Sequence, residues 1–285
     1  MCRLFGMSAG DRQVEAKFWL LNAPDSMVEE GGRNPDGAGI GWFDAGTEPH
    51  LQKQAGPAPQ DQAFLTDAAT VTASTVVTHV RDATAGSATV ANAHPFLVDG
   101  LLVAHNGGFA DPDAVMAQLG DYARFVQGDT DSERYAALIA KEAAARDGDI
   151  GAGILAAATW ISQNVPMYSL NVVVIKDHRL WALRYPDERA LHLARRVVRP
   201  ATGAPDDSWS GSSQVAQHQV AANSETPIVV VASERIDGDD DWRMLQPGEL
   251  VAVDDDLTIT ARLALRRTPA RLLHLAGRDP NDEAF

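Results

Sequence analysis

The sequence predicts an α+β fold, and three observations carry that prediction. Apolar or β-branched runs bounded by turn residues fill the stretch up to His105 and return after Tyr168, whereas the longest helical periodicity lies between them. Strands and helices therefore come in blocks, without the strand–helix–strand alternation of a doubly wound parallel sheet. Within the later block, Leu170–Ile175 and Leu180–Arg184 are joined by Lys176–Arg179, which reads as an antiparallel hairpin.

Taken in order, Cys2–Ser8 is short and apolar enough for a buried opening strand. Asp11 is a capping residue for a helix running to Asn22, with Val14, Phe18, Leu20 and Leu21 as its apolar positions. The glycine-dense stretch Gly31–Gly41 leads into a strand at Ile40–Phe43, and Val76–Val80 and Leu101–His105 are further strands. Asp131–Arg146 reads as a helix, with Tyr135, Leu138, Ile139 and Glu142 at helical spacing, and Ile154–Gln163 as another. Ile228–Ala232, Leu250–Val253 and Leu257–Ala261 complete the strands. No repeat or linker divides the chain, so one domain over residues 1–285 is expected. Its best interruption is Pro200–Thr226, rich in Ser, Gly, Gln and Ala. A polar segment of this length is either a disordered insert or a lid over substrate.

Basic side chains number 24 against 39 acidic ones, a net charge of −15. Such a field repels phosphate backbones and anionic lipid, which argues against nucleic acid or membrane surfaces as partners. No apolar run reaches the roughly 18 residues needed to span a bilayer, and the first residues lack the apolar core of an export signal. With a single cysteine, there is no intramolecular disulfide and too little sulfur for a structural zinc site. A cytoplasmic location, with no metal and no cofactor, is the expectation.

That cysteine is Cys2, directly behind Met1. Aminopeptidase removal of Met1 would leave a thiol and a free α-amine on one residue. The amine, with a reference pKa of about 7.7–8.0, can serve as general base for its own side chain. Taken alone, Cys2 reads as a small residue in a first strand, and the rest of the sequence has to overturn that.

Four later segments each hold something an acyl-transfer site needs. Thr78-His79-Val80-Arg81-Asp82-Ala83-Thr84-Ala85-Gly86 places an arginine just beyond a strand, where its planar fork can grip a carboxylate. Asn92-Ala93-His94-Pro95-Phe96 offers a loop histidine beside a packed proline. Ala104-His105-Asn106-Gly107-Gly108 ends an apolar strand with an amide and an exposed glycine N–H, the donors an oxyanion hole requires, or with a hairpin turn. Gly128-Asp129-Thr130-Asp131-Ser132-Glu133 caps the following helix, and an aspartate there can hold an ammonium group.

In this order, the segments resemble the class II glutamine amidotransferases, the cysteine branch of the N-terminal nucleophile hydrolases. Asn34-Pro35-Asp36-Gly37-Ala38-Gly39-Ile40-Gly41 is similar to that family's early Asp-Gly-x-Gly-Ile-Gly strand motif, and the matched motifs run from Cys2 to Glu133. The resemblance implies a four-layer αββα sandwich of two antiparallel sheets. It also implies Cys2 as nucleophile with its own amine as base, and Asn106 with Gly107 as oxyanion hole. Arg81 would bind the α-carboxylate and Asp131 the α-ammonium of a glutamyl group, with Thr84 and His94 in the substrate-binding loop, His94 ordering it rather than moving protons. Asp82 and Ala85 stand where glucosamine-6-phosphate synthase-like members carry Trp and His, so the details of the glutamine pocket differ.

No Gly-x-x-x-x-Gly-Lys-Ser/Thr loop or Gly-x-Gly-x-x-Gly turn is present, and Asp131–Phe285 is needed to finish the sandwich. The chain thus resembles the short stand-alone members of the family, such as the γ-glutamyl amidohydrolase of ergothioneine biosynthesis. The expected reaction is hydrolysis of glutamine or a γ-glutamyl conjugate through a γ-glutamyl thioester, with Trp209 of the polar segment as an aromatic contact for the leaving group. The alternatives are a glutaminase subunit supplying ammonia to a separate synthase partner and a catalytically silent binding protein. Bile-acid and penicillin amide hydrolases share the terminal cysteine, but Arg81 with Asp131 argues for an amino-acid head group.

Overall fold

Side-chain alternation along the opening strand sets the layers of the molecule. In β1 (Arg3–Ser8), Phe5 and Met7 enter one apolar cluster with Trp19, Met27, Ile40 and Phe64, whereas Leu4 enters another with Val77, Leu102, Val173 and Leu180. Both faces of the strand are buried, so it must lie between two layers. The computed structural model describes residues 2–83, 86–199, 216–217 and 225–273.

One sheet has eight strands. It joins β1 to β3 (Ala38–Phe43), β4 (Pro49–Gln54), β6 (Thr75–Val80), β11 (His192–Arg199), β12 (Ala216–Gln217) and β13 (Thr226–Ala232), in the order β12-β11-β13-β1-β6-β3-β4, with β14 (Arg243–Met244) beside β11. The six-stranded sheet contains β7 (Phe96–Val98), β8 (Leu101–Phe109), β9 (Met167–Lys176), β10 (Arg179–Arg184), β15 (Glu249–Val253) and β16 (Ile259–Leu263), in the order β16-β15-β10-β9-β8-β7. Every neighbouring pair in these sheets is antiparallel except β11 with β12.

Helices α1 (Met27–Arg33) and α2 (Gln62–Thr70) cover the outer face of the larger sheet, contributing Met27, Phe64 and Ala68 to its cluster. After the short α3 (Pro112–Met116), helices α4 (Asp131–Ala144) and α5 (Ile150–Asn164) cover the smaller sheet. There Tyr135, Leu138, Ile154 and Ile161 pack on Val103, Val172 and Val174. A third cluster fills the space between the sheets. Three apolar interfaces separate four layers, and the fold is the αββα sandwich of α+β class. At its centre the sheets approach closely: a Cβ on Gly6 would lie 2.7 Å from Val173 Cγ1.

The structure redraws three local elements. The helix expected over Asp11–Asn22 is absent. Val14, Ala16 and Phe18 are buried with a period of two, and the strand β2 (Val14–Glu15) pairs with β5 (Thr72–Ala73) before a single π-helical turn at Phe18–Asn22. Asp11 is exposed, its N–H donating to Asp255 O at 2.9 Å. The last strand begins at Ile259 rather than Leu257, because Leu257 sits at φ 63° in the turn that precedes it. The Asn106-Gly107 pair lies inside β8, which continues to Phe109, so it is not a hairpin turn. Trp209 and most of Pro200–Thr226 lie outside the described residues.

Candidate active site

Strand parity gathers the motif residues at one end of the sandwich. Leu4 faces the space between the sheets, and Cys2 is two residues earlier on the same face. The antiparallel register sets Leu4 against His79 and Arg3 against Val80, which brings Arg81 opposite Cys2, on the face shared with Val77. On the other sheet Leu102 and Ala104 face inward, and Asn106 follows them. Arg3 points the other way and pins the strand start through ion pairs to Glu30 at 3.1 Å and Glu234 at 2.7 Å.

The thiol of Cys2 accepts a hydrogen bond from Asp82 N–H at 3.2 Å and lies 3.3 Å from Asp82 O. Burial pushes its pKa above the usual thiol value, while the Asp82 N–H and the charge of Arg189 pull against that rise. A thiol so placed needs a base to become nucleophilic. Asn106 Nδ2 donates to Cys2 O at 3.1 Å.

Gly107 completes this wall. Leu170, its partner on β9, donates its N–H to Tyr185 O on the β10 side, and Asn106 O faces β9, where Ser169 Oγ reaches it. Alternation then turns the Gly107 N–H away from β9, onto an edge that β7 does not cover, since β7 pairs only with Leu101–Val103. Only glycine fits here, because a Cβ would lie 1.9 Å from Ser169 O.

Arg81 is buried, with its guanidinium held by backbone carbonyls: Nη1 donates to Ser87 O at 3.1 Å and Asp36 O at 3.4 Å, and Nη2 to Gly86 O at 3.4 Å. The early Asp-Gly motif holds the same turn. Arg81 N–H donates to Gly37 O, Asp36 N–H to Arg81 O, and the Asp36 carboxylate accepts from Ala83 N–H at 2.8 Å. Asp131, the first residue of α4, accepts from Phe109 N–H at 3.0 Å and lies beside Gly108. Asn92 joins the two loops: its Nδ2 donates to Ser87 O at 2.9 Å and Asp129 Oδ1 at 2.5 Å, and its Oδ1 accepts from Asp129 N–H.

The histidines are framework. His105 bonds Ser132 Oγ at 2.9 Å and Ser169 O at 3.0 Å, tying β8 to α4 and β9. His94 is buried against His79, with ring centroids 4.1 Å apart, and edge-on to Phe96. Burial drives the His94 pKa well below its ordinary value and that of His79 down to about 3. Cys2, Arg81, Asn106, Gly107 and Asp131 thus converge, His94 packs behind Arg81's strand, and Thr84 lies outside the described residues. Sequence reasoning gave no role to Asp36, Asp82, Asn92 or Arg189, although the first three stand inside or beside motifs it quoted.

A family model of glutamine amidotransferases class-II matches residues 1–272. The chain belongs to that family. Among curated relatives it is similar to the probable glutamine amidotransferase DUG3 of Saccharomyces cerevisiae, 33% identical over 135 residues, covering 41% of this chain and 38% of that protein. The chain therefore spans well under half of that relative. Among solved structures, a glutamine aminotransferase class-II domain protein from Silicibacter pomeroyi is 17% identical with a TM-score of 0.57, covering 91% of this chain and 98% of that one. The glutamine phosphoribosylpyrophosphate amidotransferase of B. subtilis is 19% identical with a TM-score of 0.60, covering 93% of this chain and 50% of that one. At these identities the structures establish the shared fold. Among the described residues no helix is long and apolar enough to cross a membrane.

Proposed function

We propose that this class II amidotransferase, as one type-2 domain over residues 1–285, hydrolyses a γ-glutamyl amide in the cytoplasm without cofactor or metal. The observation that carries the reading is the convergence of one thiol, one cation, one anion and two N–H donors at a single end of the sheets. Arg81 holds the α-carboxylate and Asp131 the α-ammonium of the glutamyl group. With Met1 removed, the Cys2 amine takes the thiol proton as Sγ attacks the γ-carbonyl carbon. Asn106 Nδ2 and Gly107 N–H stabilise the oxyanion. The resulting ammonium returns that proton to the departing nitrogen as the C–N bond breaks, leaving a γ-glutamyl thioester. Water then adds, the C–S bond breaks, and glutamate and the thiol are released. Thr84 and His94 serve the substrate loop.

Intact-mass measurement and steady-state kinetics test this together. Mature protein lacking Met1 should release glutamate from glutamine or a γ-glutamyl amide, and Cys2→Ala should abolish the activity. Near-normal turnover by Cys2→Ala, or by protein retaining Met1, refutes the mechanism, and inactivity of the mature protein on all these amides favours a silent binding protein. A second reading is ammonia supply to a separate synthase partner, which would use the same thioester chemistry on glutamine. Glutamine hydrolysis that rises only when a partner is added would select it.

A further inference from the structure

The loop from β10 to β11 crosses from one sheet to the other beside the nucleophile, and it is held with unusual economy. Asn171, fully buried on β9 directly opposite Asn106, receives Tyr185 N–H on its Oδ1 at 2.9 Å. Its Nδ2 donates to both Arg189 O at 3.2 Å and Ala190 O at 3.1 Å. Arg184 adds a bond from Nε to Arg189 O at 2.7 Å and another from Nη1 to Leu245 O at 2.9 Å. One amide thus clasps both ends of the loop, and the Arg189 backbone is fixed. Its guanidinium lies 5.1 Å from the ring centre of Tyr168, which sits on β9 beside the irregular pairing at Gly108 and Phe109. Its charge is felt at the Cys2 thiol.

The side of the site is fixed by topology. β1 runs between β6 and β13, and Arg81 follows β6. The β10–β11 loop lies on the other flank, since β11 is beyond β13 and β10 is beyond β9. A glutamyl group gripped by Arg81 and Asp131 approaches Cys2 from the β6 flank. The bond that breaks lies on the far side of the γ-carbonyl carbon, so the departing group extends toward Arg189. Asp82, whose carboxylate raises the thiol pKa, stands on the β6 flank and disfavours an anion there.

We propose that Arg189, stacked on Tyr168, is a specificity-determining residue that receives an anionic leaving group, so that the preferred substrates are γ-glutamyl amides of amino acids or peptides bearing a free carboxylate. This rests on the hydrolytic reading given above. No new bond chemistry is involved: the guanidinium binds the carboxylate of the departing amine while the C–N bond breaks as already described.

The test compares γ-glutamylglycine, whose leaving amine is anionic, with γ-glutamylethylamide, whose leaving amine carries no carboxylate. Wild-type kcat/KM should favour γ-glutamylglycine. Arg189→Met keeps an apolar stem against Tyr168, and it should lower kcat/KM on γ-glutamylglycine about 10- to 100-fold, the range of a lost charge-assisted hydrogen bond. Because the charge of Arg189 also acts on the Cys2 thiol, γ-glutamylethylamide and glutamine should share part of the loss. The decisive quantity is the ratio of kcat/KM for γ-glutamylglycine over γ-glutamylethylamide, which should fall about 10-fold or more and be partly restored in Arg189→Lys. A separate measurement avoids turnover: calorimetry in the Cys2→Ala background should show weaker binding of γ-glutamylglycine, but not of γ-glutamylethylamide, when Arg189→Met is added. Equal losses on both amides, or no loss on either, overturn the subsite while leaving the hydrolase reading intact. A wild type that turns over glutamine but rejects γ-glutamylglycine overturns the subsite and moves the function toward ammonia supply.

Discussion

Two buried arginines in this molecule are held in opposite ways. Arg196, on β11, is surrounded by carboxylates: Asp237 at 2.6 Å, Asp241 at 2.9 Å and Asp239 at 3.7 Å, with the Trp242 ring beside it. Asp237 also accepts from Trp242 Nε1 at 2.6 Å. Arg81 is instead oriented by the carbonyls of Asp36, Gly86 and Ser87. Carboxylates in direct contact offset a guanidinium's charge, whereas carbonyls orient it. Identity and burial alone would class these two residues together; their partners separate a structural tie from the residue we propose for recognition.

The contrast can be broken by exchanging which property is lost. Asp237→Ala removes the best partner of a buried cation that Asp241 and Asp239 still face. It should cost about 1.5–3 kcal/mol of stability, read as a lower denaturation midpoint, with kcat per folded molecule unchanged. Arg81→Lys should do the reverse: the midpoint barely moves, while kcat/KM falls by an equivalent of about 2–5 kcal/mol because the bidentate fork is gone. A large stability loss in Arg81→Lys at normal activity would show that both arginines are structural. Asn106→Ala sharpens the comparison on the opposite wall. It should slow acylation roughly 10²–10³-fold with little change in melting temperature, since Asn106 is bonded to Cys2 O within an otherwise paired strand. Single-turnover kinetics beside a thermal melt separate the two effects.

Acid tests the buried histidines. His79 is neutral in the fold with a pKa near 3, and His94 is shifted in the same direction, both by burial. As pH falls below about 6.5, the unfolded chain binds protons that the folded chain refuses. Stability is therefore complete above that pH and is lost down toward 3, by about 1.4 kcal/mol per pH unit for each histidine once fully engaged. Denaturant titrations from pH 7 to 4.5 should show this slope, reduced in His79→Gln. A slope that is the same in both proteins would remove His79 from the account.

Much of this arrangement was legible in the chain because it depends on short-range regularities. Cys2–Ser8 and Val76–Val80 are readable as strands from their short apolar or β-branched runs, and Thr130-Asp131 declares a helix start. That Cys2 and Arg81 share a face follows only from the register of β1 against β6. Helix α1 escaped because Gly31 and Gly32 lower its propensity; tertiary contact compensates, since a Cβ on Gly31 would lie 2.4 Å from Ala58 Cβ. In Val14–Leu21 the four positions Val14, Phe18, Leu20 and Leu21 fit a helical period loosely, while burial of Val14, Ala16 and Phe18 follows a strand period. Asn92 and Asn171 act through partners 37 and up to 19 positions away. Nothing local distinguishes a clasping amide from a surface one.

The place of β1 has a practical consequence for anyone producing this protein. The strand pairs with β6 from Arg3 and with β13 from Phe5, so it is tethered on both sides within a few residues of Cys2. Whatever is joined ahead of Cys2 must emerge among Arg81, Asp82 and Asn106. An affinity tag fused there is a tethered plug in the mouth it precedes, and purification handles belong at the opposite terminus.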